Sequence, residues 1–360
     1  MLNMENLENV TEDSILLFEY FTANGVNDLS IISEAAGMIK ELADDLKNLD
    51  TYLIISKKFE NLFNNVNVNL ITINEPLNVW LNNNANKFKK SIFIADEGEE
   101  HLLEITKILE KNNVKLYCSN SNSVMVCTNK FLTYNNLKNI VKQPITSKLE
   151  ITSNYSWKNS IKKILKKINN QKDVKLIVKP IDGVDCERVS LIHNENDLNI
   201  LEKFYPVGSK ILVQEYIEGD SCSVSLLTDG ETAIPLSLNK QNILINNEYV
   251  SYCGGELPYN HSLEKEAFEL ATSAVENIEG LKGFVGVDLI INNEVTFLEI
   301  NSRFTTPYVG LKTVINFNIG EAIIKLLDQE ISIENLKNNI SLNGKVKFVK
   351  DGNDLKIKKL

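Results

Sequence analysis

Arginine is nearly absent from this chain: of 38 basic residues only Arg188 and Arg303 are arginine, and the remaining 36 (38 minus 2) are lysine. In so lysine-rich a chain, a position that uses arginine points to the planar fork that matches phosphate or carboxylate. Two ordinary surface ion pairs would have the same composition. Other scarcities exclude whole classes. The five cysteines (Cys118, Cys127, Cys186, Cys222, Cys253) are odd in number and form no CxxC pair, and there are only three histidines. That pattern speaks for reduced thiols in a cytoplasm rather than disulfides or zinc. No window approaches the ~18 uninterrupted apolar residues of a membrane span. The opening MLNMENLENVTEDS is too polar and acidic for a signal peptide. A net charge of −10 argues against a nucleic-acid partner, which needs a concentrated basic surface. The one notably basic stretch, 156–170, carries Ile161, Ile164, Leu165 and Ile168 at helical spacing and reads as a solvated amphipathic helix.

What remains is an ordinary globular composition, 43% hydrophobic and 24% charged over 360 residues, enough for two or three domains with a substantial core. The N-terminal part alternates strands (14–20, 51–56, 67–73, 91–95) with helices (28–49, 97–111), the pattern of a parallel α/β unit whose strand ends hold a ligand. A compact α+β unit follows Pro144: the basic helix, a strand at 174–180, the turn IDGVDCE, a helix at 195–203 and a strand at 210–216. Strands at 221–227 and 232–238 then precede a long helix, 261–278. The chain closes on a helical region and a Lys-rich end that suits a closing hairpin.

The most informative stretch is GFVGVDLIINNEVTFLEINSRFTTPYVGL. Its apolar, β-branched runs 284–291 and 294–301 flank Asn292-Asn293, a pair that tolerates the φ > 0 of a tight two-residue turn. That turn sets Gly286 opposite Glu299 and makes Asp288 and Glu299 diagonal neighbours, roughly 7 Å apart, with Asn301 on the same side. Two carboxylates and an amide on one face of a greasy hairpin would repel and be costly to desolvate, unless a hard cation such as Mg²⁺ or Mn²⁺ sits between them.

Upstream, Lys179-Pro180 ends a strand and Asp182-Gly183 opens the turn beyond it. An ammonium beside backbone N–H groups suits a polyphosphate, although the same run is also simply how a strand ends. Glu215, Tyr216 and Ile217 lead into a Gly-bearing connection. Backbone there offers one donor and one acceptor per residue to a flat base edge, or is merely a linker.

In this order, Lys179, Glu-Tyr-Ile, Asp288 and EINSR resemble the ATP-grasp superfamily, over roughly residues 14 to 327. The resemblance implies α/β and α+β units in the ATP-grasp architecture: a Rossmann-like domain (14–120) after a loosely held N-terminus (1–13), linker helices and lid (121–217), a C-terminal metal and substrate domain (218–327) and an extension (328–360). It implies ATP as co-substrate with two ions, Mg²⁺ or Mn²⁺. By position, Lys130 and Lys179 match the phosphate-binding lysines, Asp182 to Glu187 the loop over the phosphates, and Glu215, Tyr216 and Ile217 the adenine hinge. Asp288, Glu299 and Asn301 match the metal ligands, and Arg303 the arginine that steadies the transferred phosphoryl group, with Lys179 beside it in catalysis. The ribose contact falls near Asp220 or Ser221, and Lys240 is an extra phosphate contact or a surface lysine. Tyr20, Thr22, Thr305 and Thr306 are substrate candidates, or equally caps and core. The lid turn departs from the family in having a single glycine, Gly183.

The phrases ILLFEYFTANG, KPIDGVDCERV, VQEYIEGDSCSVSLL and EINSRFTTPYVGL are similar to the archaeal tyramine–L-glutamate ligases of methanofuran biosynthesis. That implies glutamate and tyramine as small-molecule substrates, no membrane partner, and a state compatible with a homodimer. Other ATP-grasp ligases, and a nucleotide-binding regulator without turnover, are the readings left open.

Overall fold

The computed structural model describes residues 7–169, 175–183, 188–245, 250–351 and 354–360. Five strands form the first sheet: β1 (Ile15–Glu19), β2 (Thr51–Ser56), β3 (Asn69–Ile73), β4 (Lys90–Ile94) and β5 (Lys115–Leu116). They are all parallel, in the order β3-β2-β1-β4-β5. Parallel strands buried on both faces read as continuous apolar runs. Leu17 accordingly belongs to one core with the helix Leu29–Asp45, while Leu16 and Phe18 belong to another with the helix His101–Lys111. Asp28 caps the first of these helices by accepting from Ser30 N and Ile31 N. The second starts later than its sequence pattern predicts, because Glu99 and Glu100 take positive φ (48° and 63°), so Glu97 sits in the loop at the carboxyl end of β4. In the expected loosely held start, Leu7 and Val10 pack against the core of this sheet while residues 11–13 are exposed; residues 1–6 lie outside the described residues.

The middle of the chain folds into an antiparallel sheet of β6 (Thr146–Glu150), β7 (Leu176–Pro180), β8 (Ser190–Ile192) and β9 (Lys210–Glu215), ordered β6-β9-β7-β8. The basic helix Ser156–Asn169 lays Trp157, Ile161 and Leu165 onto Val178, Ile211 and Val213 and leaves Lys163 and Lys166 exposed, as its periodicity predicts; the side chain of Ile168 lies outside the described residues. Chain enters and leaves this lid side by side, with Thr146 opposite Gln214 and Glu215 N donating to Ile145 O at 2.9 Å.

The third sheet holds β10 (Asp220–Thr228), β11 (Ala233–Ile245), β12 (Val250–Leu257), β13 (Gly283–Ile291), β14 (Val295–Asn301), β15 (Val346–Asp351) and β16 (Asp354–Lys359). It is antiparallel in the order β14-β13-β10-β11-β12-β15-β16. The helix Glu264–Glu276 covers one face through Ala267, Ala271, Ala274 and Val275; the other packs partly on the N-terminal unit through Leu227, Leu257 and Phe284 and elsewhere lines the cavity beneath the lid. Two features go beyond the sequence pattern: β11 runs on to Ile245, and β12 pairs with it. The closing hairpin does form, and it extends this sheet, with Leu355 N donating to Ser33 Oγ at 3.2 Å on the N-terminal unit. A buried knot also ties the two units. Asp45, 3% exposed, accepts from Tyr308 OH (2.7 Å) and Gly320 N (3.0 Å) and lies 3.1 Å from Lys312 Nζ.

Candidate active site

The hairpin of β13 and β14 is not built as its sequence predicts. Its turn has three residues, 292–294, so that Ile291 pairs with Val295 and Leu289 with Phe297. Asn292 N donates to Glu294 O (3.1 Å), and Asn292 Nδ2 donates to Glu218 O (2.8 Å), which fastens the turn to the chain leaving the lid. One extra residue in a turn moves the ladder by one and would carry Glu299 to the opposite face. A bulge cancels the slip: Leu298 is surplus, and Asp288 pairs directly with Glu299 and Gly286 with Asn301. The convergence expected from a diagonal pair is therefore reached by a direct one. Gly286 is required beside it, since a Cβ there would stand 2.7 Å from Thr305 Cγ2.

Around this pair the polar groups close in. Asn301 Nδ2 donates to Asp288 Oδ2 at 3.1 Å, and Gln241 Nε2 reaches Asp288 Oδ1 from β11 at 2.9 Å. Lys179 Nζ, on the last turn of β7, lies 3.2 Å from Glu299 Oε2, and Lys130 Nζ lies 3.7 Å from the same oxygen. Lys130 also donates to Gly183 O at 2.7 Å, so it holds the start of the lid turn. Burial and the neighbouring Glu299 charge push the Asp288 carboxyl well above the usual range. Burial would raise Glu299 too, but Lys130, Lys179 and Arg303 hold it low. One carboxylate thus stays ionised and the other is strained toward neutrality, an arrangement that a cation between them would relieve. Among the described residues no three of His, Cys, Asp and Glu come together. The donor set of Asp288, Glu299 and Asn301 fits a hard cation that completes its shell with ligand oxygens such as phosphate.

The structure brings twelve of the sequence candidates together in one cavity over this centre: Lys130, Lys179, Gly183, Glu215, Tyr216, Ile217, Asp288, Glu299, Asn301, Arg303, Thr305 and Thr306 all line it. Five candidates fall elsewhere. Asp182 is exposed beside Gly183, and residues 184–187 of the loop lie outside the described residues. Asp220 and Lys240 sit one residue out of phase with the cavity-lining Ser221 and Gln241, on the far face of β10 and β11. There the two pair with each other, and Tyr259 OH donates to Asp220 at 2.6 Å. Thr22 is fully buried with its hydroxyl on Glu19 O (3.1 Å), and Tyr20 stacks on His101 with ring centroids 4.1 Å apart. Strand parity accounts for Asp220 and Lys240, since a strand's two faces differ by one residue, and the helix cap at the end of β1 consumes Thr22.

Sequence reasoning also missed residues. Arg303 Nε donates to Glu97 Oε2 at 2.7 Å, so the loop after β4 holds the arginine of the hairpin. Glu97 is 5% exposed, and its Oε1 has no hydrogen-bond partner among the described residues. Four acids crowd IADEGEE, and nothing in the sequence distinguishes this one. Gln241, Ile243, Ile245, Val250 and Tyr252 line the cavity from β11 and β12; the alternation of Val250 and Tyr252 was the signal available. Ile177, Ile290 and Leu298 complete an apolar slot next to the hinge.

The chain belongs to the ATP-grasp family: residues 127–307 match the model of the ATP-grasp domain. The family model and the relatives below make it an ATP-grasp carboxylate–amine ligase, a class whose architecture implies use of ATP and a divalent metal. Among curated proteins it is similar to the tyramine–L-glutamate ligase of Methanocaldococcus fervens, 34% identical over 322 residues that span 88% of this chain and 94% of that one. The tyramine–L-glutamate ligase of Methanocaldococcus jannaschii is 32% identical, with 88% and 90% covered. Among solved structures, an ATP-grasp superfamily protein from Archaeoglobus fulgidus superposes with a TM-score of 0.70 at 26% identity, covering 96% of this chain and 99% of its own.

Proposed function

We propose that this enzyme joins the γ-carboxylate of glutamate to tyramine, giving γ-glutamyltyramine, ADP and phosphate, a product that belongs to methanofuran biosynthesis. The observation that carries the reading is the meeting of Lys130 and Lys179 on Glu299, directly across from Asp288, with Arg303 on the same cavity wall. The names of the relatives that match 88% of the chain support the choice of substrates.

The chemistry runs in two steps. A carboxylate oxygen attacks the γ-phosphorus, the bond to ADP breaks, and an acyl phosphate forms; the amine nitrogen then attacks the acyl carbon, phosphate leaves with the bonding pair, and the nitrogen loses a proton. Lys130 and Lys179 redirect their ammonium groups to the phosphates, and Arg303, fixed by Glu97, neutralises charge on the group in transit. Asp288, Glu299 and Asn301 would hold two Mg²⁺ or Mn²⁺ ions, whose chemistry is to draw charge from the phosphoryl oxygens. The hinge at Glu215 to Ile217 takes the base, and the lid keeps water from the labile acyl phosphate.

Incubation with ATP, Mg²⁺, glutamate and a panel of amines, followed by mass analysis, tests the proposal. The expected result is the mass of γ-glutamyltyramine with one ADP per amide. Active enzyme that makes another amide, and none of this one, would overturn the substrate assignment.

A further inference from the structure

The cavity has two apolar ends, and a nucleotide has only one base. One end is the slot beside the hinge, where Ile290 of β13 and Leu298 of β14 face Ile177 of the lid. The other lies across β10, on β11 and β12. There Ile243 pairs directly with Tyr252 and Ile245 with Val250, and all four side chains line the cavity. Polar Ser221, Ser223 and Gln241 separate the two ends. A second bulge, one surplus residue on β12 between Tyr252 and Gly255, brings Tyr252 and Val250 onto the face that Gln241 and Ile243 share. Gly254 makes the irregularity feasible: its φ is +109°, and a Cβ there would meet Phe348 O at 2.2 Å.

This second wall is unusual for the outer part of a hairpin. Ile245, at its outer end, is 40% exposed, where a polar residue would cost nothing to solvate. A cluster of apolar side chains open to a cavity marks a surface that an apolar group covers. Glutamate has no such group, and the nucleotide's base is provided for at the hinge.

Resting on the substrates proposed above, we infer that the wall of Ile243, Ile245, Val250 and Tyr252 is the subsite for the aromatic ring of the amine and sets the enzyme's preference for arylalkyl amines. The ring lies against the two cross-strand pairs, and the aminoethyl arm runs toward Thr305, Thr306 and Arg303, which line the same cavity. Specificity then follows from area removed from water. An aliphatic amine of equal basicity leaves the wall uncovered.

Steady-state kinetics of Ile243→Ser and Val250→Ser, with tyramine and with propylamine, test this. The expected result is a rise of about tenfold or more in KM for tyramine, with KM for ATP and for glutamate within about twofold of wild type and little change toward propylamine. Tyr252→Phe should retain the tyramine KM. An equal rise in the KM of ATP or glutamate, or an unchanged tyramine KM in folded variants, would overturn the assignment. Calorimetric binding of 2-phenylethylamine in the presence of MgADP gives a readout independent of turnover. Wild type that binds it, with weaker binding in both serine variants, supports the subsite even if tyramine proves not to be the natural amine. Wild type that binds propylamine as tightly as 2-phenylethylamine overturns it.

Discussion

Asp288 and Glu299 face each other directly across β13 and β14, and a single surplus residue, Leu298, brings them there. Continued without interruption from the pair Leu289–Phe297, the ladder would set Asp288 against Leu298 and turn Glu299 out of the cavity. The bulge therefore does two things: it restores the acidic pair, and it leaves Leu298 free to line the slot beside the hinge.

Glu299→Gln should abolish ADP release, by on the order of 10³-fold, while the far-ultraviolet spectrum and melting temperature stay close to wild type. Lys130 and Lys179 both direct their charge at this carboxylate, so its loss removes the group that organises them. Coupled-assay turnover checks it. Undiminished ADP release would remove Glu299 from the phosphoryl-transfer centre.

Glu97→Gln should lower kcat by roughly 10- to 100-fold with little change in KM for ATP. The variant loses the charged partner 2.7 Å from Arg303 Nε, and a misplaced catalytic group costs rate more than binding. A parallel rise in the KM of ATP without loss of kcat would contradict this.

Glu19 links stability to pH. Its carboxyl is buried at the carboxyl end of β1 and, despite accepting from Phe21 N and Thr22 N, is pushed up to about 7 by desolvation. A folded-state value above the unfolded one near 4.5 means that its stabilising contribution is complete below about pH 4.5 and is lost as pH rises through about 7. Between pH 4.5 and pH 8 the wild type should lose on the order of 3 kcal/mol relative to Glu19→Gln. Urea unfolding of both proteins at the two pH values measures this difference; curves that stay parallel would refute it.

Asp45→Ala should destabilise the fold by about 3 kcal/mol, because it strands the buried Tyr308 hydroxyl and the Gly320 N–H of the knot, while Lys312 keeps Glu41 and Asp44. Tyr308→Phe should cost less, about 1 kcal/mol. Chemical denaturation gives both values, and a neutral Asp45→Ala would mean that the two units are joined mainly by apolar packing.

Legibility followed burial. The strands β1, β2 and β4 are covered on both faces, so SILLFEY, TYLIIS and SIFIA read as strands with no knowledge of the fold. The acidic hairpin was legible as a convergence of Asp288, Glu299 and Asn301. Its register was not, since a three-residue turn and a bulge leave no mark beyond a sequence that also suits a two-residue turn. The inner half of β11 faces a polar cavity, so Asn239 and Gln241 stand where a core-facing strand would carry apolar residues, and the run looked finished at Leu238. The same parity left Asp220 and Ser221 undivided as the ribose position and drew attention to Lys240 instead of Gln241. Contacts such as Glu97 with Arg303 join residues 206 apart in the chain, and local pattern carries no trace of them.

The lid leaves the body by two adjacent strands, at Ile145 and Glu215. A paired ribbon bends across its width far more readily than it shears, so the lid has one easy rotation, about a line through both crossings. Leu176 pairs with Glu215 on that line, whereas Lys179 pairs with Leu212, three residues outward, roughly 10 Å away. The two ends of β7 therefore act as pivot and pointer: a base bound at 215–217, as proposed above, would stay nearly still while Lys179 travels a wider arc. An enzyme so hinged can keep its grip on the nucleotide through a full cycle and let go of the phosphates alone.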